Sequence, residues 1–216
     1  MEHRLTRASV AALIVALAPS ASLGAQRNWQ GVVTFQQDRG TAEYYQGSGI
    51  ARLDMKEGSD THSVIIDPSH STMTILMPEQ HQYMTMDTKT MGANVQKKLS
   101  ESKISDTGKG DVIAGHKCEY YHMVDPDDKS EADACIATDM GTFAMVQMPM
   151  QGRGSVWQRL LAGHTGGFFP LKVISHKDGK DKVDMQATKI EARSLDAALF
   201  KVPDGYTQMG MGGMSH

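Results

Sequence analysis

Two cysteines in 216 residues, Cys118 and Cys135, are all the thiol chemistry this chain has. Neither stands just behind an N-terminal apolar run, so the pattern of an acyl-anchored lipoprotein is missing. Nor do they show the close Cys-x-x-Cys spacing of a redox dithiol. Beyond the first 25 residues no apolar stretch reaches membrane-spanning length, and no integral membrane segment is expected. Positive charge is not in surplus: 22 Lys and Arg against 25 Asp and Glu give −3. A mildly acidic chain has no electrostatic reason to hold nucleic acid. Catalytic signatures are absent too. There is no Gly-x-Ser-x-Gly elbow, no His-Glu-x-x-His, and no phosphate-cradling Gly-rich loop between a strand and a helix. Ser48 lies between Gly47 and Gly49, but a turn entering a strand accounts for it. A non-catalytic protein without a cofactor is the expectation.

What is present begins with a leader. Arg4 and Arg7 precede a stretch from Ala8 to Ala18 that is apolar apart from Ser9, and Pro19 and Ser20 break it before Ala21, Ser22, Gly24 and Ala25. A short apolar core with a small-residue exit reads as a cleaved secretory signal, residues 1–25. Its removal takes away Arg4, Arg7 and Glu2, leaving 20 cations against 24 anions, or −4. The product is expected to be periplasmic or secreted. In that oxidising setting an even pair of cysteines forms a disulfide, here Cys118 with Cys135. Closing such a loop stabilises by about 3 kcal/mol in the chain-entropy view.

Residues 26–207 read as a single β-rich domain, because period-2 alternation dominates. Candidate strands are Val32–Gln37, Ile50–Met55, Val64–Ile66, Thr72–Met77 and Tyr83–Met86, with turns at Asp67-Pro68-Ser69 and Pro78-Glu79-Gln80. Met91, Val95 and Leu99 recur at helical spacing, predicting a short helix over 87–100. Val156, Leu160 and Leu161 predict another over 155–162. The polar, Gly-containing stretch 102–111 reads as a loop. Val112–Val124 and Ala132–Thr138 form a hairpin that carries the two cysteines, and Phe168–Ser175 with Lys182–Ala192 form another around Asp178-Gly179. Residues 208–216 read as a disordered Met- and Gly-rich tail.

Sixteen methionines are the oddity of the composition. Met73, Ile75 and Met77 alternate on one strand and Met84 and Met86 on the next. Flexible thioethers suit an irregular core or an adaptable apolar groove, so these five are the tentative groove residues. Met145, Met148 and Met150 form a further cluster. Thioethers are also soft ligands for Cu(I), and Met209, Met211, Met214 and His216 offer an alternative copper-binding tail. His116, Cys118 and His122 are spaced like a metal trio, but a disulfide would remove the thiolate the metal needs.

Several segments carry a family likeness. Gly49-Ile50-Ala51-Arg52-Leu53-Asp54-Met55, Ile65-Ile66-Asp67, Met73 to Gln80, Ile113-Ala114-Gly115-His116-Lys117-Cys118 with Tyr120, Phe169-Pro170-Leu171-Lys172 and Phe200 to Tyr206 resemble a family of exported bacterial proteins catalogued as a domain of unknown function. That family in turn looks similar to the periplasmic lipoprotein carriers and receptors of the Lol pathway. The resemblance implies a mainly β protein of α+β type: a curved antiparallel half-barrel sheet with two or three covering helices. It also implies a lipid, acyl chain or other hydrophobic small molecule as partner. No catalytic residues carry over.

Overall fold

The computed structural model describes residues 29–88, 103–125, 129–144 and 167–210. These form β1 (Gly31–Gln37), β2 (Gly40–Gln46), β3 (Ala51–Glu57), β4 (Asp60–Asp67), β5 (Thr72–Met77), β6 (Gln82–Asp87), β7 (Lys103–Ile113), β8 (His116–Val124), β9 (Glu131–Ala137), β10 (Phe169–Lys177), β11 (Lys180–Ala192) and β12 (Thr207–Gln208). Short 3-10 turns cover Pro78–Gln80 and Ala197–Phe200. All twelve strands lie in one curved, open sheet, in the order β12-β6-β5-β4-β3-β2-β1-β11-β10-β9-β8-β7. The order resolves into two antiparallel meanders, β1–β6 and β7–β11. They join side by side where β1 pairs with β11. Only β12 runs parallel to its neighbour, β6.

Local chemistry explains the hairpins. Asp178 and Gly179 both take positive φ, 52° and 71°, as a two-residue turn matching strand twist requires. Alternation then sends Val33, Phe35, Ala42, Tyr44, Leu53 and Val64 to one face, where they are buried. Residues 138–144 cross that face. Phe143 packs on Tyr44 at 4.4 Å between ring centroids and on Phe169 at 5.0 Å, and Phe169 stacks over Phe35. The opposite face of the first meander is covered as well. Arg52 donates from Nη1 to the Leu199 carbonyl and from Nη2 to Ser63 Oγ, holding the C-terminal segment over a surface where Ile65 and Leu76 are buried. Burial on both faces is why Ser63 to Ile66 of β4 are all buried.

The architecture corrects the expected α+β half-barrel with covering helices: the described residues form a nearly all-strand open sheet, and no α-helix covers it among them. The two helical predictions fall on 87–100 and 155–162, almost wholly outside the described residues, as do the leader and the Met145–Met150 cluster. Three strands are additions, the two-residue β12 among them. β2 has only Ala42 and Tyr44 as buried positions, too few for a periodic signal. β7 replaces the loop expected over 102–111. It is an edge strand, exposed along most of its length and irregular between Asp106 and Gly110, so burial imposes no hydrophobic pattern on it.

Candidate functional site

The methionine residues come together by register. Met73 stands directly opposite Met86, and Ile75 opposite Met84, so all four side chains leave the same face of β5 and β6. Met77, opposite Gln82, continues the row, and Val64 and Ile66 of β4 extend it from Ile75 and Met73. Met73 and Met84 are buried, while Ile75, Met77 and Met86 are half-buried. Ile75 and Met86 pack against the edge of the same core that contains the aromatic group. The face therefore grades from closed to partly open. A surface depression of about 700 Å³ lies elsewhere, against β7–β9, lined by Asp111, Val112, Lys117, Glu119 and Ile136 among others. Its rim carries charged side chains, whereas the face of β5 and β6 presents thioether and aliphatic groups.

The cysteines are bonded, with 5.3 Å between their Cα atoms, and both are buried. They are offset by two residues rather than directly opposed, since Cys135 faces Tyr120. His116, Cys118 and His122 do share a strand face, but the structure gives each a different partner. His116 Nδ1 lies 3.0 Å from Asp139 Oδ2, Cys118 is in the disulfide, and His122 Nδ1 lies 2.7 Å from Asp133 Oδ1. In the tail, Gln208 belongs to β12 and the Met209 amide donates to the Tyr83 carbonyl. Met211, Met214 and His216 lie outside the described residues.

Sequence reasoning missed a cluster centred on Asp133. His122 on β8 and His176 on β10 flank it, with Nε2 of His176 3.3 Å from Asp133 Oδ2 and the rings 6.0 Å apart. Asp181 on β11 accepts from Nδ1 of His176 at 2.7 Å. That bond, followed by Asp133, raises the His176 pKa against the opposing effect of its partial burial. The Glu131 carboxylate stands 3.9 Å from His122 Nε2. The turn at Asp178-Gly179 placed His176 near Asp181 in sequence, but nothing local ties either to β8.

A largely antiparallel open sheet, with aromatic and methionine side chains on one face and a disulfide near the far edge, defines a β-sheet domain with no recognisable catalytic constellation among the described residues. The family described as a domain of unknown function, DUF4412, matches residues 32–206, and the chain belongs to that family. No curated protein matches. Among solved structures, an uncharacterized conserved protein from Thermus thermophilus is similar at 11% identity and a TM-score of 0.54, with 85% of this chain and 91% of that chain covered. PNGF-II, in a C2 crystal form, is similar at 13% identity and a TM-score of 0.48, with 83% of this chain covered. This chain spans 30% of that PNGF-II chain. These likenesses concern the fold alone.

Proposed function

We propose that this chain is a non-catalytic protein of the bacterial cell envelope that binds a lipid, acyl chain or other hydrophobic ligand on the methionine face of β5 and β6. The observation that carries this reading is the cross-strand register. It gathers Met73, Met84 and Met86 with Ile75 and Met77 on one face, with part of that surface left half-buried. Unbranched thioethers adjust to ligands of differing shape, as an adaptable apolar site requires. Export to the periplasm, after cleavage of the leader, is supported by the buried Cys118–Cys135 bond, which suits an oxidising compartment.

The test is native mass spectrometry of protein isolated gently from the envelope fraction, followed by titration with a fluorescent fatty acid. The expected result is a co-purifying lipid mass or saturable binding at one site per chain. Folded protein that carries no lipid and shows no saturable probe binding overturns the reading.

A further inference from the structure

We infer that His122, Asp133 and His176 form a binding site for a divalent first-row transition ion of the zinc type, independent of the methionine face. The three side chains come from adjacent strands. His122 stands directly opposite Asp133 on β9, and His176 is directly opposite Glu131, so all four project from one face of β8–β10. The ligand atoms of His122, Asp133 and His176 lie within 4.8 Å of one another. Zinc holds imidazole nitrogen and carboxylate oxygen at about 2.0–2.2 Å, which small side-chain rotations reach from this starting distance. Two imidazoles and one carboxylate are also the donor types that borderline ions prefer over the soft thioethers that suit Cu(I).

The outer contacts sharpen the assignment. A liganding histidine needs its other ring nitrogen held by an acceptor, which fixes the ring and increases its donor strength. Asp181 does this for His176, leaving Nε2 aimed at Asp133. Glu131 stands near Nε2 of His122 while Nδ1 faces Asp133. The nitrogens of His122 and His176 that face Asp133 are the atoms that would coordinate, so the contacts to its carboxylate give way to coordination by the same heavy atoms. All three side chains are partly exposed, which leaves an entry path from solvent.

Isothermal titration of the chelator-treated, disulfide-intact full chain with zinc chloride tests the site. One equivalent is expected to bind. The double substitution His122→Gln and His176→Gln should weaken binding by about 100-fold or more, and Asp181→Asn by about 10- to 100-fold. His116→Gln, which alters a histidine outside the cluster, should leave binding unchanged. Melting curves establish that each variant folds. Should the double variant fail to fold, His122→Gln alone provides the reading. No saturable zinc binding, or unchanged affinity in a folded cluster variant, overturns the inference. So does loss of binding on removing residues 211–216 alone. Fatty-acid probe binding by the His122→Gln and His176→Gln variant should be unaffected, so this site and the methionine face fail or survive separately.

Discussion

A tyrosine hydroxyl with no solvent exposure must find its partners inside the protein. Tyr44 does so: its hydroxyl donates to Gln46 Oε1 and accepts from the Ala144 amide at 2.8 Å. Burial pushes its pKa well up, so the ring stays neutral at any physiological pH. The second bond ties the crossing segment 138–144 to the sheet. Replacing Tyr44 by Phe keeps the ring contact with Phe143 and strands the Ala144 N–H, so the expected loss is about 1–3 kcal/mol of unfolding free energy in urea. A loss smaller than the error of that measurement would show that the amide finds another acceptor. Nothing in the surrounding sequence announces this residue's role. Tyr44 and Tyr45 are adjacent and look alike, and only the register separates the one inside from the one that turns outward to Glu43.

Strands whose apolar residues alternate over a stretch with one buried face were legible, and the hairpin of β5 and β6 follows from Met73, Ile75, Met77, Met84 and Met86 alone. The pairing of β1 with β11 was not, because it joins the two meanders without a connecting turn to fix it. The C-terminal segment carries a motif of the family, but its packing depends on Arg52, whose guanidinium reaches both Leu199 and Ser63. The Asp133 cluster was hidden for the same reason: His122 and His176 become neighbours only through β9. The disulfide belongs to this scale as well, since it staples the β8–β9 hairpin beside the outermost strand pair. Its loop spans 17 positions, and closure of a loop near that size removes about 3 kcal/mol of unfolded-state entropy. The Cys118→Ala and Cys135→Ala double variant should lose about that much stability. Adding reductant to wild type in the same urea titration should give a similar loss, and to the variant no further loss. A reductant effect on the variant would point to some other origin.

For the whole sheet, the decisive question is whether the methionine face opens to ligand or closes as core, and two positions on β5 separate the cases. Met73 is 7% exposed beside the aromatic core, whereas Met77 is half-buried opposite Gln82. They point the same way and stand about 13 Å apart along the strand. Met73→Glu places an unpaired carboxylate among buried apolar groups. That costs several kcal/mol, comparable with the whole stability of a domain, so the variant should unfold or melt far lower. Met77→Glu leaves its charge within reach of water. If this end of the face binds a hydrophobic ligand, the variant should keep a melting temperature near wild type and lose at least about tenfold in fatty-acid probe affinity, a difference of about 1.4 kcal/mol. If the face is continuous core, Met77→Glu should melt as badly as Met73→Glu. A folded Met77→Glu variant with undiminished probe affinity would place any ligand elsewhere on the molecule and remove this face from consideration.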